Sequence, residues 1–175
     1  MNFDVVGPIK LTRHGKKRLV TKESLVDLIE ELEAIESGLS EACGCYVFAK
    51  QAGKGLMPWY VGQATKQSLA VESMNPANRE KYNKVLDSQG SPIMFFIPLR
   101  TPAKKLRKRP KGVTRLLSID FLERWLIAAA LDRNGMLLNN KETTFLRRIH
   151  VTGIFNAKQG GATTDSRALC RTLWP

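Results

Sequence analysis

The chain has 175 residues, of which 43% are hydrophobic, which fits one globular domain with additions at its ends and excludes a disordered chain. No apolar run approaches the roughly 20 residues that span a bilayer, and residues 1–20 lack the apolar stretch and cleavage site of a secretory signal. A net charge of +12 favours a polyanionic partner, through long-range attraction and the release of condensed counterions.

Residues 1–20 show no clean period and read as a basic arm or an edge strand. The spacing of Leu25, Ile29, Leu32 and Ile35 predicts an amphipathic helix over 24–37, with Gly38 as its stop. Residues 44–50 alternate as a strand, with Cys45, Val47 and Ala49 on one face and Tyr46 and Phe48 on the other. Both faces are apolar, as in a central strand. Gly53 and Gly55 mark a loop over 51–57, and 58–62 is a second strand, joined to the first as a hairpin.

Helices are expected over 66–74 and 77–88, separated by Pro76, a residue suited to a first helical turn. The apolar run 93–97, bounded by Pro92 and Pro98, is too short for a helix and predicts a third strand. Residues 101–115 form a basic loop. A helix over 118–132 follows, capped by Ser118, with Leu122, Trp125, Leu126 and Ala129 as its apolar stripe. Residues 136–175 are poorly periodic, with one more helix over 168–173.

Charge is clustered. Residues 10–22 carry Lys10, Arg13, Lys16, Lys17, Arg18 and Lys22, and 101–115 carry Lys104, Lys105, Arg107, Lys108, Arg109, Lys111 and Arg115 without an acid. Clusters of this kind neutralise phosphates without reading bases. Lys104, Lys105, Arg107, Lys108 and Arg109 are the candidate substrate-binding cations. Cys43, Cys45 and Cys170 leave one thiol over in any disulfide scheme, which fits a reducing, cytoplasmic setting. Cys43 and Cys45 read as small core residues, since two sulfurs do not close a zinc site.

Phosphodiester hydrolysis needs a base or orienting group for water, a cation at the developing charge and help for the leaving oxygen. Gly44-Cys45-Tyr46 and Tyr60-Val61-Gly62 put two tyrosines on neighbouring strands, with a turn glycine beside them. Glu123 lies four residues from both Ile119 and Ile127, bordering the apolar face of its helix. Leu137-Leu138-Asn139 follows.

In order and context these segments resemble the GIY-YIG nuclease superfamily over residues 42–140. The resemblance implies a small, mainly antiparallel three-stranded sheet flanked by helices, an α/β (α+β) domain. Residues 1–41 would then be an arm with a helix, and 141–175 an extension. It implies that Tyr46 orients or deprotonates the attacking water and that Tyr60 shares its hydrogen-bond network. Glu123 would hold one Mg²⁺ or Mn²⁺, Gly62 would admit the substrate backbone, and Asn139 would support the site. The family has an arginine in its middle helix, with a histidine or tyrosine four residues later. Tyr82 is the candidate for the later residue. Asn78 stands four before it, so the cation is Arg79 from a shifted register, or Lys66 or Lys81, or else the site is weakened. The implied function is metal-dependent endonucleolytic cleavage of DNA, most simply double-stranded, by a cytoplasmic protein that would be nucleoid-associated if the source is bacterial. A homodimer would supply two sites for two strands. The alternative is a non-catalytic nucleic-acid-binding protein on the same fold.

Overall fold

The computed structural model describes residues 2–53, 55–86, 90–108, 112, 115–140, 143–155 and 161–174. In chain order the elements are β1 (Asn2–Phe3), β2 (Val6–Lys10), α1 (Lys22–Ile35), β3 (Gly44–Ala52), β4 (Gly55–Ala64), α2 (Leu69–Ser73), α3 (Pro76–Leu86), β5 (Ser91–Arg100), α4 (Leu117–Arg133), α5 (Thr143–Arg148) and α6 (Thr164–Leu173). No helix among the described residues is long and apolar enough to cross a membrane.

The architecture is α+β, with one antiparallel sheet and helices on both its faces. Its order is β1-β5-β3-β4, with β2 also on β5, so it has five strands rather than three. The two extra strands come from the arm. Asn2 and Phe3 pair with Arg100 and Leu99, and Val6, Ile9 and Lys10 pair with Phe96, Met94 and Ile93. The register shifts between Val6 and Ile9, and this irregularity hides the strand period in the sequence. β3 is central, and its two faces are buried as the alternation implies.

On one face Tyr46 and Phe48 pack with Ile9, Leu28, Leu32 and Tyr82, under α1, α2 and α3. On the other, Cys43 and Cys45 meet Ile97, Leu99 and Ile119, and Val61 meets Ile127, Ala130 and Leu131 of α4. Both cysteines are therefore core residues, and burial pushes their thiols above the ordinary range.

Four helices differ from their expected form. In α1 the buried row contains Ser24, Leu28 and Leu32, whereas Ile35 is half exposed. α2 is short and begins at Ser68, whose Oγ accepts from the Val71 N–H. α4 starts one residue before Ser118, with Leu116 at the cap and no side-chain cap bond. Its buried row is Ile119, Ile127, Ala130 and Leu131; Trp125 is 55% exposed and forms an outer row with Leu117 and Phe121. Of the expected stripe, Leu122 and Leu126 pack against the core, whereas Trp125 and Ala129 are turned away from it. α3 does begin on Pro76. α5 was not legible from periodicity, and α6 starts earlier than expected and buries none of its residues.

Candidate active site

The only three tyrosines of the chain meet on the α3 side of the sheet. The ring centroids of Tyr46 and Tyr60 are 6.2 Å apart, those of Tyr60 and Tyr82 6.3 Å. Strand register explains this: Tyr46 faces Gly62, and Phe48 faces Tyr60, across the β3–β4 ladder. α3 then lays Asn78 and Tyr82, four residues apart on one helical face, onto these rings.

Tyr82 is fully buried, stacked on Phe48 at 4.0 Å, and its hydroxyl donates to the Ser73 carbonyl at 2.7 Å. Every polar need of this side chain is met inside the core. The later helix residue of the implied constellation is thus packed in the core, with its hydroxyl turned to the backbone of α2.

Tyr46 is only 1% exposed. Its oxygen accepts from Asn78 Nδ2 at 2.9 Å, and its hydroxyl hydrogen-bonds the Tyr60 phenol. Because the Tyr46 oxygen is the acceptor toward Asn78, its proton is the one directed to Tyr60. The chain of bonds runs from Asn78 through Tyr46 to Tyr60, and Tyr60 is the member that is part exposed. Burial holds both phenols above their ordinary value, and for Tyr60 the Glu123 and Glu72 carboxylates add to this. Both rings are therefore neutral hydroxyls, suited to orienting water and poorly suited to deprotonating it.

Gly62 does not face open space. A Cβ there would lie 2.4 Å from Cζ and from Oη of Tyr46, so the phenol occupies the volume that the glycine leaves. The residue makes room for Tyr46 itself.

The cation beside the rings is Lys81. Its Nζ lies 4.2 Å from the Tyr60 ring centroid and 3.3 Å from Asn78 Oδ1. Burial lowers its pKa, and Glu72 works in the opposite direction. Arg79, the expected alternative, points elsewhere: its charge acts on Glu23 at the head of α1, and its Nε is buried without a hydrogen-bond partner. One residue along a helix is a rotation of about 100°, which takes Arg79 off the face shared by Asn78 and Tyr82. Lys66 is exposed on the turn after β4.

Glu123 is half-buried on α4, one turn from each of the buried Ile119 and Ile127. Its carboxylate accepts from Gln63 Nε2 at 2.8 Å. Gln63 is two residues beyond Val61 on β4, so the ladder turns it toward α4 while Tyr60 faces α3. The same amide also hydrogen-bonds Asp120, one turn earlier on α4. Burial works against the charge of Asp120, but Arg115 and Gln63 outweigh it and hold the carboxyl below its ordinary range. Sequence reasoning missed Gln63. Its signal was a polar side chain on the β4 face that otherwise packs against α4.

Among the described residues no three His, Cys, Asp or Glu side chains converge. The oxygens nearest to a metal-holding role are those of Glu123 and Gln63. The Gln63 Oε1 is buried with no hydrogen-bond partner, on the amide whose Nε2 donates to Glu123. One carboxylate, one amide oxygen and several waters match the needs of Mg²⁺.

Asn139 clamps the outer edge of β4. Its Oδ1 accepts from the Val61 N–H at 2.9 Å and its Nδ2 donates to the Val61 carbonyl at 2.7 Å. It thereby fixes the strand between Tyr60 and Gln63 and touches neither side chain's polar end.

Of the basic loop, Lys104 and Lys105 are exposed on a turn that leads back along the end of β5. Arg107 pairs through its backbone with Leu99 and Cys43, and Lys108 forms an ion pair with Glu41 at 2.9 Å. Arg109 and Lys111 lie outside the described residues. Comparison of the chain with protein-family models, with curated proteins and with solved structures gives no match.

Proposed function

We propose that this chain is a metal-dependent DNA endonuclease that hydrolyses phosphodiester bonds. The observation that carries this reading is the position of Glu123, a carboxylate bordering a helix's core-facing row, with an amide beside it whose oxygen has no partner. Glu123 is half-buried between two buried isoleucines, a position that leaves its carboxylate partly accessible beside the core. Strand order, the tyrosine pair and the closing asparagine are similar to the GIY-YIG pattern.

In this reading Glu123 and Gln63 hold the divalent cation. When bound, the cation supplies positive charge at a nonbridging phosphate oxygen and at the leaving oxygen. Tyr60 orients the attacking water through its neutral hydroxyl. Tyr46 and Asn78 act through Tyr60: they are positioning residues, since neither is exposed. Lys81 takes the place of the arginine as the charge that clamps the phosphate. The exposed Lys104 and Lys105, with the net charge of +12, favour a nucleic-acid substrate.

The test is nicking of supercoiled plasmid with Mg²⁺ or Mn²⁺ against EDTA. Wild type cuts only with metal. Glu123→Ala abolishes cutting while retaining DNA binding, and Lys81→Ala slows it about 100-fold, as loss of one charge-stabilising donor does. Cutting that survives Glu123→Ala refutes the site. A second reading, a non-catalytic nucleic-acid-binding protein, is favoured by the near-complete burial of Tyr46 and by Asn78 in the arginine's place. Wild type that binds DNA and never cuts, with either metal, supports it.

A further inference from the structure

A second basic feature lies at the other end of the sheet. α3 runs from Asn78, bonded to Tyr46, to Val85, whose carbonyl accepts from Lys50 Nζ at 3.1 Å. Beyond Lys50 the chain opens into a cavity of about 500 Å³, walled by Arg13, Arg18, Gln51, Gly90 and Ser91, which adjoins a smaller one that reaches Lys10. Arg13 is pinned at its rim: Nε donates to the Arg18 carbonyl and Nη1 to the Gly90 carbonyl. Gly90 (φ +145°) is required there, because a Cβ would lie 2.8 Å from the backbone carbonyl oxygen of Gln51. Among the described residues no carboxylate lines either cavity or forms an ion pair with Arg13 or Arg18.

Cations gathered around a concave polar space, without a neutralising acid, repel one another unless an anion joins them. A guanidinium carries five N–H donors that match phosphate oxygens, and Arg13 spends only part of its set on the two rim carbonyls. Six residues of β3, from Cys45 beside Glu123's helix to Gln51, separate this cavity from the candidate active site, which is about 20 Å at ~3.3 Å per residue. That is about six steps of duplex at 3.4 Å each.

We infer that Arg13 and Arg18 form a phosphate-binding site for the sugar–phosphate backbone of nucleic acid, separate from the catalytic constellation. It rests on the nucleic-acid part of the proposed function and not on cleavage. The site holds the substrate away from the point of chemistry, and it carries no sequence information.

The experiment measures binding of a short fluorescent duplex by the full chain across a salt series. It compares wild type, Arg13→Ala/Arg18→Ala, and a control that removes two exposed charges elsewhere, Lys84→Gln/Arg133→Gln. The slope of log K against log salt falls in magnitude by about 1.8 in the arginine variant, since each phosphate contact contributes ~0.9, and stays near wild type in the control. If loss of the Arg13 bonds prevents folding, Arg18→Gln alone lowers the slope by about 0.9. An unchanged slope in a folded arginine variant overturns the inference, as does an equal fall in the control. Tripolyphosphate is the second probe: arginine-dependent binding of it with an unaltered duplex slope also overturns the inference, in favour of a free polyphosphate. Wild type that shows the arginine-dependent slope but does not cut leaves the inference standing and removes only the proposed nuclease activity.

Discussion

At the scale of single residues, the tyrosine cluster is held by what its neighbours lack. Gly62 has no side chain, and Tyr46 fills that volume. In Gly62→Ala the new methyl must expel the phenol, which breaks the Asn78–Tyr46–Tyr60 chain of hydrogen bonds and overpacks a full core. The expected cost is about 1–3 kcal/mol, measured by denaturant unfolding. A variant as stable as wild type would mean that the ring yields freely. The place of Glu123 at the border of the apolar face was legible from the sequence, because Ile119 and Ile127 flank it at helical spacing, and both are buried. Lys81 was not singled out from three candidate cations, because the rotation of α3 about its axis is set by Pro76 and by the burial of Asn78 and Tyr82. Only packing on the sheet decides that, and it turns Arg79 toward Glu23.

At the scale of elements, the β3–β4 hairpin, β5 and the core-facing half of α4 follow from alternation and period. The arm strands do not, because their pairing with β5 is interrupted, and β2 contains Gly7 and Pro8. The outer edge of β4 is another feature that no local pattern announces. Asn134 Nδ2 donates to the Pro58 carbonyl at 2.8 Å, the Leu138 N–H donates to the Trp59 carbonyl at 2.8 Å, and Asn139 takes both backbone groups of Val61. Segment 134–139 thus acts as a strand substitute built largely from side chains. Asn139→Ala leaves a buried donor and acceptor on Val61 and is expected to cost about 2 kcal/mol. It should also speed amide exchange at Val61 specifically. Unaltered exchange there would show that the clamp is dispensable.

At the scale of the whole molecule, the arm and α1 are tied to the far end of β5 by Arg100. This guanidinium forms a two-pronged pair with Glu36, with Nη1 to Oε1 at 2.7 Å and Nη2 to Oε2 at 2.5 Å, and also bonds Asp4. The Arg100 bond lowers the Glu36 pKa below its ordinary 4.5, against a smaller opposing effect of burial. A depressed folded-state pKa means that the stabilisation is complete above 4.5 and is lost as pH falls through the folded value. In Glu36→Gln that part of the acid dependence disappears. The melting temperature, followed below pH 4.5, should therefore fall less steeply in the variant than in wild type. Equal slopes would show that the pair is screened by solvent, as exposed pairs often are.

The clamp along β4 also bears on how the molecule behaves in a crowd. An open strand edge is a template on which a second chain can extend a sheet, and runaway extension ends in fibrils. Here the middle of that edge, from Pro58 to Val61, is already satisfied by the chain's own Asn134, Leu138 and Asn139. The lesson for engineering is that trimming the chain before residue 134 would remove more than a tail. It would uncover a sticky ribbon at the heart of a basic protein.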